Sequence, residues 1–390
     1  MYIYNARIFP VSAPEIPCGY VEIKDGVIAS VSEGKPADIS DGDINADGLR
    51  LYPGFIDAHS HIGLIGDGMG IEGEDVNEDS DPVTPHLRTI DGLCFTDGCF
   101  KDAVMAGVTC CVTGVGSSNP IGGDFIAVKT YGRCADEMLM RRVGIKFALG
   151  ENPKSTFADK DGTPVTRMAT AAIIREALYK ARRYMQDKKE ALDSGDSLPD
   201  YDIKSEALIP LLKGEIKAHF HCHRADDIMT AVRIAKEFAL DYVLIHCTEG
   251  HLIADILGGE HACAVTGPII CDRGKPELAN LTVENAAVLH KNGVKTAICT
   301  DHPELPVQYL PASAAFCVKA GLPREEAIRG LTVNAAEIAG ISDRVGAIAA
   351  GLDGDIVLWD GDPLDIMASP VLTMINGKIV YKKELSYERD

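Results

Sequence analysis

The chain has 390 residues, 46% of them hydrophobic and 25% charged, a length and composition that suit a globular protein of about two or three domains. Its 58 acidic residues outnumber the 38 basic ones, and a net charge of −20 repels phosphate backbones and anionic lipid. Nucleic acid is therefore excluded as an expected partner, and a small-molecule substrate is expected instead.

The opening residues, Met1 to Arg7, lack a basic segment followed by an apolar one, so no signal peptide is expected. No run of about 18 apolar residues occurs, so no membrane span is expected either. The 12 cysteines are scattered among apolar segments without a Cys-x-x-Cys pair. That is the usage of small buried hydrophobes in a reducing compartment, and it points to the cytoplasm.

The first fifty residues read as short strands. Val21 to Lys24 alternates, Asp25-Gly26 is a hairpin turn, and Val27 to Val31 returns. The last forty-five repeat the style, with a strand at 355–359 and two more flanking the turn Asn376-Gly377. Neither end has enough apolar residues for a core of its own. Together they make one small β-sandwich, which requires the two ends of the chain to meet.

Between them, apolar runs at 55–59, 109–113, 125–129, 144–149, 216–221, 242–246, 264–267 and 296–300 alternate with helical patterns. Eight β-then-α units predict an α/β fold, a (β/α)8 TIM-like barrel whose catalytic groups sit at the C-terminal strand ends. The expected organisation is 1–52 and 346–390 in the β-sandwich and 53–345 in the barrel. The long segment 169–214 reads as helices of an elaborated loop.

Polar groups collect where those strands end. The first closes on His59-Ser60-His61, the fifth on His219-Phe220-His221-Cys222-His223, the sixth on His246 and the eighth on Thr300-Asp301-His302. Two histidines two residues apart on an extended segment face the same side. Imidazoles joined by a carboxylate suit zinc. The run Gly68-Met69-Gly70-Ile71-Glu72-Gly73 matches a dinucleotide fingerprint, but the acidic residues after it would repel a pyrophosphate. It reads as a flexible loop near the barrel mouth.

The run Pro53-Gly54-Phe55-Ile56-Asp57-Ala58-His59-Ser60-His61, the strand-end histidines, Thr300-Asp301-His302-Pro303 and the tail from Ala347 to Val357 resemble the amidohydrolase superfamily. The likeness is greatest to its imidazolonepropionase-like branch of metal-dependent hydrolases, and it extends over nearly the whole chain. The resemblance implies that His59, His61, His221, His246 and Asp301 hold one or two Zn²⁺ ions, with Asp301 and His246 also catalytic. It implies a further ligand from the fourth strand, for which Glu151 is preferred and a carboxylated Lys129 is the rival. His219 and His223 face the same side as His221. His223, Arg224 and Tyr131 are candidates to contact substrate.

The implied reaction is hydrolysis of a non-peptide or dipeptide C–N bond by metal-activated water, with Asp301 carrying the proton. Deamination of a heterocycle at the same site is the alternative enzyme reading, and a non-catalytic oligomeric scaffold is the alternative outside enzymes. A homo-oligomer is expected.

Overall fold

A computed structural model describes residues 1–158, 160 and 162–383; the last seven residues of the C-terminal segment assigned to the β-sandwich, 384–390, lie outside the described residues. Sixteen strands, among the described residues, sort into two sheets.

The first sheet joins the two ends of the chain. It contains β1 (Tyr2–Ile8), β2 (Ile16–Lys24), β3 (Val27–Glu33), β4 (Ile44–Asn45) and β5 (Arg50–Pro53) from the N-terminal side. The second sheet takes β6 to β13, given below, and β14 (Ile356–Trp359), β15 (Pro370–Ile375) and β16 (Lys378–Lys382) return to the first. Its order is β16-β15-β14-β5-β1-β2-β3, with β4 beside β1, so hydrogen bonding runs continuously across both ends. The seam is the antiparallel pair of β5 and β14, in which Pro53 faces Ile356 and Arg50 faces Trp359. Both tight turns read from sequence have positive φ at both central residues, Asp25-Gly26 (52° and 85°) and Asn376-Gly377 (48° and 71°). That backbone matches the twist of paired strands and favours Asp, Asn and Gly.

The second sheet is the barrel wall: β6 (Phe55–Ser60), β7 (Val108–Gly114), β8 (Ile121–Lys129), β9 (Leu139–Ala148), β10 (Lys217–Cys222), β11 (Tyr242–His246), β12 (Cys263–Thr266) and β13 (Lys295–Ile298). All eight expected strands form, in sequence order around the sheet. One expectation is corrected. β8 runs antiparallel to both β7 and β9, so the wall is not eight identical β-then-α units. The loop 115–120 between β7 and β8 is too short for the crossover a parallel neighbour requires. This reversal sends the C-terminal end of β8 to the opposite mouth of the barrel, where Lys129 pairs across to Cys110 near the start of β7.

The wall is nearly closed. Past the end of β13, the Asp301 N–H donates to the His59 carbonyl (3.1 Å) and the His61 N–H donates to the His302 carbonyl (2.9 Å). Inside, Phe125, Val243, Ile245, Val265 and Ala297 pack as one apolar cluster. Outside, Ile145, Phe147 and Phe220 pack on Ile174 and Leu178 of the 28-residue helix Arg167–Ser194 and on the helix Ala225–Phe238. Each such buried side chain contributes about 1.5–3 kcal/mol. The long helix is the elaboration expected for 169–214. Thr166 caps it by accepting from the Ala169 N–H (3.1 Å), and Gly195 ends it at φ 76°. Gly54 is required where β6 enters the wall, because a Cβ there would stand 2.0 Å from Thr109 Oγ1.

Candidate metal centre

The strand ends bring the expected histidines together. His59 and His61 come from the end of β6, His221 and His223 from the end of β10, His246 from the end of β11 and Asp301 from just past β13. Two sets of three have ligand atoms within 4.8 Å of one another: His59, His246 and Asp301, and His221, His223 and His246. All of these residues except the fully buried His59 line a cavity of about 470 Å³ together with Ser117, Asn152 and Lys275.

The donor set fits a metal ion on three grounds. The first is spacing. Asp301 Oδ1 stands 3.5 Å from His59 Nε2 and 3.4 Å from His61 Nε2. Ligands bonded to one tetrahedral ion at about 2.0–2.1 Å are roughly 3.3 Å apart. The second is tautomer. His61 Nδ1 lies 2.6 Å from the Gly114 carbonyl and His246 Nδ1 lies 2.7 Å from the Gly267 carbonyl. A carbonyl only accepts, so each Nδ1 carries the proton and each Nε2 offers its lone pair to the cavity. The third is charge. Burial pushes His59, His221 and His223 well below the usual imidazole range, and it takes His246 down to about 4. That shift favours the neutral ring, the form that ligates.

Asp301 is held as a carboxylate. Burial alone would raise its pKa, but the neighbouring His246 and His61 rings outweigh that and leave it below the ordinary value. Oδ1 has no hydrogen-bond partner. His246, Cys247 and Asp301 all adopt left-handed backbone, at φ 67°, 46° and 54°. Such conformations cost about 1–3 kcal/mol each in non-glycine residues and cluster where the fold must aim a side chain.

The fourth-strand position is occupied by a residue that sequence reasoning missed. Lys146 on β9 is fully buried, its Nζ 3.2 Å from His59 Nε2 and 5.1 Å from the centre of the Phe125 ring. Burial lowers its pKa to about 8, against the opposing pull of Asp301. The signal was present: a lysine set in the apolar run Val143 to Leu149.

Glu151 lies elsewhere. It opens the helix Glu151–Ala158, and its backbone N–H donates to Glu277 Oε2 (3.0 Å), while the next residue, Asn152, lines the cavity. Lys129, at the far mouth, is ion-paired with Asp353 (2.8 Å) and Asp355 (2.7 Å). Tyr131 follows it there and is half exposed. Arg224 forks onto Asp226, with both bonds at 2.9 Å, and does not line the cavity. His223 does line it, with Nδ1 2.7 Å from Thr248 Oγ1. His219 sits deeper, against Phe125 and facing Lys146 across the β9–β10 ladder.

Glu277, on the loop after β12, is a second site residue absent from the sequence reading. It is 2% exposed, and Oε1 stands 3.6 Å from His223 Nε2 and 4.0 Å from His221 Nε2. Nothing in Lys275-Pro276-Glu277 marks it out from an ordinary polar turn. The loop that carries the glycine run does reach the barrel mouth, since Ile65, Val76 and Asn77 form part of the cavity wall.

Comparison with known proteins gives one consistent picture. The model of the Amidohydrolase family matches residues 199–380. The crystal structure of an amidohydrolase from Thermotoga maritima is 38% identical, covers 98% of this chain and 100% of its own, and superposes with a TM-score of 0.94. Amidohydrolase tasK of Hapsidospora irregularis is 31% identical over 390 residues. That alignment covers 92% of this chain but only 39% of tasK, so the chain spans well under half of that relative. An imidazolonepropionase of Sphingopyxis alaskensis is 24% identical, with 93% of this chain and 92% of the relative aligned.

Proposed function

Because this chain belongs to the amidohydrolase family, we propose that it is a zinc-dependent hydrolase of a small substrate, cleaving a non-peptide or dipeptide C–N bond with Asp301 as proton carrier. The observation that carries this reading is the pairing of two carbonyl-locked imidazoles, His61 and His246, with an ionised Asp301 at the mouth of the barrel.

His59, His61, His221, His246 and Asp301 are the residues that would hold one or two ions, with Lys146 taking the place that the sequence reading gave to Glu151. Such an ion acidifies water and polarises a carbonyl or amidine carbon. Asp301 Oδ1, unpartnered and facing the His59 and His61 rings, is placed to take a proton from the attacking water and return it to the leaving nitrogen. The cavity of about 470 Å³ admits a small molecule and not a protein chain. Ile65, Val76 and Asn77 wall it from the side. Burial raises the Cys110 and Cys247 thiols to about 12, which keeps them unreactive and suits a cytoplasmic protein with unpaired cysteines.

The test is Asp301→Asn in the zinc-loaded protein, assayed against cyclic amides, N-acyl amino acids and dipeptides. Turnover should fall by about 100-fold or more while the protein keeps bound metal. Undiminished turnover would remove Asp301 from the role of proton carrier.

A further inference from the structure

We infer that the groove between the terminal sheet and the helix Arg324–Gly330 binds a small organic anion, a carboxylate or phosphate group carried on an apolar body. Arg50, Arg324 and Tyr52 grip the charged group. The groove shares no residue with the metal cavity and stands apart from the proposed hydrolysis. It opens beside Tyr52, just before the chain enters β6, the strand that leads to His59 and His61.

Four arginines, Arg7, Arg50, Arg324 and Arg329, line this cavity of about 440 Å³ against three carboxylates, Glu15, Glu325 and Asp362. On a chain of net charge −20, that local excess of positive charge draws anions. The guanidinium groups are held in place with donors to spare. Arg324 forks onto Asp362 through Nε and Nη2, at 2.9 and 2.7 Å, and Arg7 gives its Nε to Glu15. Arg50 stands 3.5 Å from Asp362. Among the described residues, Arg324 Nη1, both terminal nitrogens of Arg7 and the whole Arg50 side chain make no hydrogen bond. Paired guanidinium donors match the two oxygens of a carboxylate or a phosphate, which sets the class of the charged group.

Tyr52 supplies a different kind of donor. It is 1% exposed, and its ring stacks on Phe9 with centroids 4.4 Å apart. The hydroxyl accepts from Arg324 Nη2 at 3.2 Å, and its own proton has no acceptor among the described residues. A buried donor left unpaired costs free energy, and an anion seated on the arginines would accept from it. Burial raises the phenol's pKa, which keeps that proton on the oxygen. Phe9, Pro10, Val11, Ala13 and Ile328 form the apolar side of the groove, where the body of the ligand would pack. Val11 holds φ at 67°, a backbone rare for a β-branched residue and one that clusters where a fold shapes a ligand site.

The test is calorimetry on the full-length protein, zinc-loaded and metal-depleted, with benzoate, phenyl phosphate, inorganic phosphate and, as the uncharged control, benzyl alcohol. At least one of the two organic anions should bind in both forms of the protein, about tenfold more tightly than benzyl alcohol or inorganic phosphate. The tighter of the two identifies the charged group. Arg50→Gln should weaken that ligand by about tenfold and Tyr52→Phe by about fivefold. Glu15→Gln should tighten it by about threefold or more, because a competing carboxylate is removed and Arg7 is released. Failure of both organic anions to bind overturns the inference, as does equal binding of benzyl alcohol or inorganic phosphate. Binding that disappears with the metal places the anion at the metal centre and also overturns it, as does unchanged affinity in Arg50→Gln. If Arg50→Gln does not fold, Glu15→Gln decides, and unchanged or weaker binding there overturns the inference. A protein that binds the anion but takes up no zinc overturns the proposed function and leaves this site standing.

Discussion

Asp57 and Thr300, 243 residues apart, clasp the first barrel strand to the end of the last. The Asp57 carboxylate accepts the Thr300 N–H at 3.1 Å and the Thr300 hydroxyl, and it also accepts the His59 N–H at 3.4 Å. One buried side chain thus sets the distance between His59 and Asp301, which flank these contacts. Asp57→Ala leaves three buried donors without an acceptor and should cost about 2–4 kcal/mol of stability. Chemical denaturation measures that loss, and metal affinity should fall with it because His59 and Asp301 lose their shared anchor.

Lys146→Met separates a site role from a packing role. A methionine fills most of the lysine's volume and removes the cost of a buried amine, so stability should change by less than about 1.5 kcal/mol or rise. Metal content and turnover should both drop, turnover by about 100-fold. Full activity with lost stability would reverse the assignment.

Lys129→Met should behave in the opposite way. Removing the ammonium shared by Asp353 and Asp355 leaves the buried Asp355 carboxylate without a counter-charge at the junction of barrel and terminal sheet, while Asp353 keeps Arg344 at 2.7 Å. The expected cost is about 3–5 kcal/mol, with turnover per folded molecule unchanged. A specific loss of metal binding would instead place Lys129 at the centre.

Those two lysines show how far the sequence could be read. His59-Ser60-His61 was legible because period-two geometry puts both rings on one face, and all eight wall strands were legible from their apolar runs. Lys129 and Lys146 each end or occupy such a run, and choosing between them depends on strand direction. Only the reversal of β8 sends Lys129 to the far mouth and leaves Lys146 under the histidines. The short loop 115–120 was the available clue. Glu277 left no clue, because its role comes from a loop fold that brings it against β10 and the start of the helix after β9.

The acid limb of stability should carry the signature of Asp202. The Lys180 ammonium, at 2.7 Å, holds this carboxyl at about 2 against an ordinary value of 3.8, helped by the Ser205 N–H and hydroxyl. A depressed folded pKa means the unfolded chain binds more protons. The stabilisation is therefore complete above about pH 4, the unfolded value, and is lost as pH falls toward 2. Asp202→Asn should be less stable than the parent at pH 6, and the gap should close by pH 2. Thermal unfolding across that range measures it, and a constant gap would assign the effect to helix capping alone.

The most direct measurement compares metal-depleted and zinc-restored protein on a panel of cyclic amides, N-acyl amino acids and dipeptides, following amine or ammonia release. Hydrolysis of at least one substrate should be absent without metal, return with zinc, and be lost again in Asp301→Asn. A protein that takes up no divalent ion, or whose hydrolysis is the same with and without it, would contradict a metal-dependent hydrolase at His59, His61, His246 and Asp301.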